Sequence, residues 1–312
     1  MAKILFGRQI RAGNCSGGLH TVINGGRGWI NLNINLPIVL YPLFSRYICN
    51  RCNKPMAVRR KKKNNRKYKY ILFAVIPVLL AYGAWWWYNY IPSNFVTYPE
   101  FGIGIPENFM IHGIDVSHHQ DNINWELVHD MQVKQVKIGF AFIKATEGVG
   151  RVDNHFSRNW SKSKDAGMCR GAYHFFIATK SGKLQAQNFI GVVDLEHGDL
   201  PPVLDVEQTY GVSGDRLRRE VKAFLQTVED YYGVKPLIYT NVDFYRQYLS
   251  NGDFDDYPLW VAHYLQREKP RITRNWLFWQ HNEAGRVNGI RMHVDFNVFN
   301  GDSTEFRKLL MD

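Results

Sequence analysis

The stretch PPVLDVEQ, residues 201–208, sets two carboxylates two positions apart at the end of an apolar run. On a β-strand successive side chains alternate faces, so Asp205 and Glu207 point the same way while Val206 points opposite. Their Cα atoms are then about 6.6 Å apart. Like charges at this spacing raise one another's pKa. Cleavage of a glycosidic bond uses such a pair: one protonated carboxyl serves the leaving oxygen and one ionised carboxylate serves the oxocarbenium-like centre. A lone D-x-E is also an ordinary surface pairing, so the elements around it must decide.

Those elements alternate. Strand candidates are IHGIDV (111–116), IGFAFIKA (138–145), GAYHFF (171–176), PPVLDVE (201–207), PLIYT (236–240), PLWVAHY (258–264), LFWQH (277–281) and HVDFNVF (293–299). Helix candidates fall at 156–167, 183–193 and 213–232. In the last, Leu217, Val221, Phe224, Leu225 and Val228 recur at helical spacing behind a Ser213 cap. Alternating strands and helices with eight strands predict an α/β fold, a (β/α) barrel that is irregular in its last third. A doubly wound open sheet is the alternative, but no Gly-rich phosphate fingerprint accompanies it.

In a barrel the working face lies at the C-terminal strand ends, and the first and last strands are neighbours. Asp115 and Asp295 are therefore expected side by side, across the mouth from Asp205 and Glu207. Four converging acids perturb each other's proton affinities. Tyr173, Tyr239, Trp260, Tyr264, Trp276 and Trp279 fall near strand ends, where flat rings can stack on sugars or simply pack. Gln280 is a candidate substrate contact. Lys144 and Glu147 in IKATEG fit a substrate contact or a structural ion pair. His118 and His119 follow Asp115 closely, but carboxylate-based cleavage calls for no metal and no cofactor.

The charge is split along the chain. The protein has 39 Lys and Arg against 28 Asp and Glu. Residues 1–91 hold 15 of the basic residues and none of the acidic ones, leaving a net charge of −4 for 92–312. That balance argues against nucleic acid as a partner of the larger part. RRKKKNNRKYK (59–69) precedes YILFAVIPVLLAYGAWWWYNYI (70–91), 22 residues without a charge. A bilayer core needs about 20 apolar residues as a helix. The cations place the N-terminal side in the cytoplasm, and Trp85, Trp86, Trp87, Tyr88 and Tyr90 suit the far interface. An uncleaved signal-anchor is expected. Cleavage near Ala81-Tyr82-Gly83 is the rival, and both put 92–312 outside the cytoplasm.

Residues 1–55 lack periodic pattern, and Met56 opens what reads as the positively charged start of the anchor. Translation from Met56 is expected, with 1–55 an unstructured or non-native extension. Residues 56–69 then form a cytoplasmic segment, 92–109 a linker and 110–312 the catalytic domain. Cys49 and Cys52 form a lone C-x-x-C, read as incidental. Only Cys169 lies beyond residue 91, so no internal disulfide supports the main domain.

The ordered set HGIDVSHHQ (112–120), FAFIKATEG (140–148), GAYHFF (171–176), LDVE (204–207), LIYT (237–240), LWVAHY (259–264), WQH (279–281) and VDFN (294–297) resembles glycoside hydrolase family 25, the Chalaropsis-type lysozymes. The resemblance spans about 110–312. It implies a TIM-barrel-like fold of five βα units followed by mostly β structure. It implies as substrate the glycan strands of peptidoglycan, cut at the β-1,4 bond from N-acetylmuramic acid to N-acetylglucosamine. By position Glu207 matches the family's general acid/base. Asp205 matches the nucleophile or the group orienting the 2-acetamido substituent, and Asp115 and Asp295 match the other two acids. A non-catalytic glycan-binding module and a chitinase are the alternatives.

Overall fold

The computed structural model describes residues 66–90 and 94–312. Elements run α1 (Arg66–Tyr90), β1 (Phe95–Tyr98), β2 (Ile103–Pro106), β3 (Ile111–Val116), α2 (Trp125–Asp130), β4 (Gln132–Val133), β5 (Val136–Glu147), β6 (Arg151–Val152) and α3 (Phe156–Asp165). There follow β7 (Cys169–Phe175), α4 (Gly182–Ile190), β8 (Val203–Asp205), α5 (Gly214–Tyr232), β9 (Leu237–Asn241) and the single turn α6 (Val242–Phe244). The chain closes with β10 (Leu259–Ala262), β11 (Phe278–Gly285), β12 (Val294–Phe299) and α7 (Ser303–Arg307).

Each of the eight expected strands forms, and together they close a barrel in the order β3-β12-β11-β10-β9-β8-β7-β5, sealed by β3 against β5. Neighbours from β3 through β5, β7, β8, β9 and β10 to β11 are parallel, whereas β12 is antiparallel to both β11 and β3. A helix follows each of β3, β5, β7, β8 and β9, and none separates β10, β11 and β12. The barrel is thus an irregular mixed one, not a regular eightfold βα repeat. The long α5 follows its pattern: Ser213 accepts from Arg216 N, and Leu217, Val221, Phe224, Leu225 and Val228 are buried.

Below its mouth the barrel is filled with rings. Phe142 stacks on Trp260 with centroids 4.5 Å apart, and Phe140 meets Phe278 at 5.1 Å. Phe306 on α7 packs against Phe299 at 5.2 Å. Gly113 on β3 is part of this packing, because a Cβ there would lie 2.4 Å from the Phe140 ring. Gly113→Ala is therefore expected to destabilise the fold by roughly 1–3 kcal/mol, the usual cost of overpacking. Chemical denaturation measures this, and adding Phe140→Leu should recover part of the loss. An unchanged midpoint would mean the ring has room to move.

Within the stretch expected as a linker, residues 95–106 form a hairpin. β1 and β2 pair as an antiparallel hairpin from Phe95↔Pro106 to Tyr98↔Ile103. Gly102, at φ +70, supplies the left-handed turn residue between them. Tyr98, Phe101, Ile103 and Ile105 are buried, and Phe101 meets Phe296 of β12 at 5.4 Å. The cause is apolar: a short hairpin cannot stand alone in water, and this one covers the outer faces of β11 and β12.

Helix α1 includes Tyr70–Trp87, 18 residues long and apolar enough to cross a membrane, with none of that stretch buried. It lies within the stretch expected to span, and as a single apolar helix it fits an anchor or a signal sequence. Residues 1–55, Cys49 and Cys52, and the basic run as far as residue 65 lie outside the described residues.

Candidate active site

The mouth lies at the C-terminal ends of the parallel strands. β3 brings Asp115 there as its fifth residue. β8 ends at Asp205, and Glu207 stands just past it. Asp295 arrives by a different route. It is the second residue of β12, near that strand's start, and reaches the mouth because β12 runs antiparallel. The ladder sets it directly opposite Asp115.

Asp115, Asp205, Glu207 and Asp295 line one cleft of about 240 Å³ with Lys144, Tyr173, Phe175, Tyr239, Trp260 and Gln280. Ser117, His119 and Gln120 complete its rim. Tyr264 joins through its hydroxyl, which donates to Gln280 Oε1 at 2.6 Å. Tyr239 donates to the same oxygen, also at 2.6 Å. Gln280 Nε2 then donates to Asp115 Oδ2 at 2.7 Å. Asn297 Nδ2 reaches that oxygen from the other side at 2.7 Å, while its Oδ1 accepts from Trp260 Nε1 at 2.8 Å. Chains of donors polarise each other in a buried site, so Asp115 receives two firmly oriented amides.

Trp279 is not in the cleft. Gln280 points into the barrel, so its neighbour on β11 must point out. The Trp279 indole is fully buried, donates to His263 O at 2.9 Å, and packs on Phe95 at 5.8 Å. Trp276 lies beside it at 6.2 Å. Lys144 lines the cleft and also forms the ion pair foreseen with Glu147, at 2.8 Å. His118 turns to Asp153, with Nδ1 2.7 Å from Oδ2. Among the described residues no group of three or more His, Cys, Asp or Glu is arranged to hold a metal. Asn297 is the residue that sequence reasoning passed over. It stands two positions after Asp295 on one strand, so the alternation that pairs Asp205 with Glu207 also turns Asn297 inward.

Burial sets the electrostatics. It raises Asp115, while hydrogen bonds from Asn297, Gln280 and Asp295 oppose the rise. Asp295 is pushed up to about 9, by burial first and then by the charge of Asp115 and the bond to it. Facing Asp115 across the ladder, Asp295 is the member of the pair whose protonated form burial and the neighbouring charge favour. Asp205 is raised well above the carboxylate range by burial and by Glu207, with Lys144 opposing. Glu207 is raised by burial and then by Asp115. Near neutral pH the site carries fewer negative charges than carboxyls.

This has a consequence for stability. Asp295 holds its proton up to about 9 in the fold, whereas in the unfolded chain it releases it near pH 4. Between those values the unfolded state binds fewer protons, so this group's contribution to stability falls as pH rises. Asp295→Asn keeps a donor toward Asp115 and removes the ionisation. Melting curves from pH 5 to 9 should fall by several degrees less in the variant than in the native chain. Parallel curves would show that Asp295 does not carry the shift.

A closed barrel whose mouth gathers proton-sharing carboxyls and a polar aromatic wall belongs to the glycosidases that work by carboxyl chemistry. The profile of Glycosyl hydrolases family 25 matches residues 114–290. The chain is 46% identical over 220 residues to Uncharacterized protein YegX of Escherichia coli K12, covering 70% of this chain and 79% of that one. It is 35% identical over 224 residues to Lysozyme M1 of Streptomyces globisporus, covering 67% and 74%. Among solved structures it resembles the bacterial lysozyme of Streptomyces coelicolor, with a TM-score of 0.58 and 34% identity over 64% of this chain and 96% of that one. The chain belongs to glycosyl hydrolase family 25, and it is a glycoside hydrolase of the lysozyme kind.

Proposed function

We propose that the cleft hydrolyses peptidoglycan at the N-acetylmuramic acid to N-acetylglucosamine β-1,4 bond, with Glu207 as general acid and base. The observation that carries this is the convergence of Asp115, Asp205, Glu207 and Asp295 on one cleft, with raised proton affinities. Glu207 is the less buried of the raised pair on the β8 side, and burial and then the charge of Asp115 raise its proton affinity, as a general acid needs. It gives that proton to the departing O4 of the glucosamine unit as the C1–O bond breaks. It then takes a proton from the water that completes hydrolysis.

Asp205 supplies negative charge at the reacting sugar. Its Oδ1 is buried and has no hydrogen-bond partner within the protein; burial and Glu207 raise its proton affinity, and Lys144 opposes that rise and favours ionisation as positive charge develops at the sugar. That oxygen serves the anomeric carbon directly or the 2-acetamido N–H beside it. Asp115 and Asp295 fix the opposite wall. Tyr173, Tyr239, Trp260, Tyr264 and Gln280 contact the sugars, with the two tyrosine hydroxyls holding the amide of Gln280 in one orientation.

The best-supported site for this activity is the outer face of a bacterial cytoplasmic membrane. There α1 acts as a single-pass anchor with its N-terminus inside, residues 56–69 remain cytoplasmic, and the hydrolase domain from 110 to 312 lies in the periplasm or outside. Secretion after cleavage is the other reading of the same helix. Incubation of the full chain in detergent with purified peptidoglycan and with chitin tests the substrate. Soluble muropeptides from the first and no release from the second are expected. The reverse pattern would assign a chitinase.

A further inference from the structure

The segment between membrane helix and barrel is shorter than the sequence alone implies, and this limits where the enzyme works. Helix α1 ends at Tyr90. Asn94 is already fixed to the fold, its N–H donating to Arg267 O at 3.2 Å and its carbonyl accepting from Glu107 N at 2.8 Å. The hairpin that follows is held by the buried side chains of Tyr98, Phe101, Ile103 and Ile105. Only Ile91, Pro92 and Ser93 separate the helix from this attachment.

The attachment also lies close to the cleft. Arg267 stands three residues after Tyr264, whose hydroxyl bonds to Gln280 in the cleft wall. With consecutive Cα atoms at most 3.8 Å apart, the path from Tyr90 through Asn94 and Arg267 to Tyr264, and on through its side chain to Gln280 in the cleft wall, spans about 40 Å when fully stretched. That bound holds whatever the orientation of the domain. Burial of the hairpin prevents it from paying out as extra tether without losing its apolar contacts.

We infer that the enzyme's substrate is glycan lying within about 40 Å of the bilayer surface, a class that includes strands still joined to their membrane lipid carrier. Finished wall that stands farther off is out of reach of the tethered cleft. This rests on α1 being an uncleaved span and on the muramidase reading of the cleft.

A flexible Gly/Ser insertion between Ser93 and Asn94 tests it. About 40 such residues add a reach on the order of 35 Å without touching the cleft. Cells expressing the native or the extended chain are labelled with glucosamine in the wall, either freshly or followed by a long chase. The native chain should release fresh label and little chased label. The extended chain should release chased label at least about tenfold more than the native one. Equal release of fresh and chased label by the native chain would overturn the inference, as would recovery of the native enzyme as a soluble product cleaved ahead of Asn94. Both chains, solubilised in detergent, are also given purified wall. Equal digestion shows that the insertion spared the fold and supports reach as the difference. No digestion by either overturns the muramidase reading, and the inference with it.

Discussion

Glu207→Gln is expected to lower kcat on peptidoglycan by roughly 10²–10⁴-fold, the usual contribution of a positioned acid and base. Glutamine keeps the shape and can still accept a hydrogen bond, but it has no proton to give a departing sugar oxygen. KM should change little, because Tyr239, Tyr264, Gln280 and Trp260 remain in place. A substrate with a good leaving group, such as an aryl glycoside, needs less protonation and should lose much less activity. Equal losses on both substrates would give Glu207 a role other than acid. The fold should not suffer. Burial and the charge of Asp115 raise Glu207, so removing that carboxyl leaves stability at alkaline pH unchanged or higher.

Asp205→Asn is expected to cost roughly 10²–10³-fold in kcat, the scale of losing one preorganised electrostatic group, with the melting temperature kept or raised. The side chain is almost fully buried and is raised by burial and by Glu207. Such a group is expensive to ionise and is tolerable only where the reaction uses the charge. Its Oδ1 has no partner in the protein, so the neutral amide breaks no internal bond at that atom. Near-native turnover in this variant would remove Asp205 from the mechanism.

Much of this was legible in the sequence, for reasons that can be named. The strands of the barrel appear as short apolar runs because each is buried on both faces, and α5 appears because one face is not. Closure makes β3 and β12 neighbours, as first and last strands, but the convergence of Asp115 with Asp295 also needs β12 to run in reverse. The reversal of β12 is not legible, because a strand's direction leaves no mark in its side-chain pattern. Without that reversal Asp295 would sit at the far end of the barrel. Trp279 illustrates the limit of composition: an aromatic near a strand end looks like a sugar platform, but parity with Gln280 sends it outward. Parity also marks Asn297 as inward once Asp295 is placed. The hairpin of residues 95–106 is too short for periodicity to announce, and its turn at Gly102 becomes informative only after the strands are seen to pair.

The most direct test of the account is the identity of the new reducing ends released when the full chain digests purified peptidoglycan. Reduction with borohydride followed by mass analysis of the sugars distinguishes the two possible ends. Reduced N-acetylmuramic acid is expected, formed by the native chain and all but lost in Glu207→Gln. Reduced N-acetylglucosamine as the product, or native-like release by Glu207→Gln, would contradict the account.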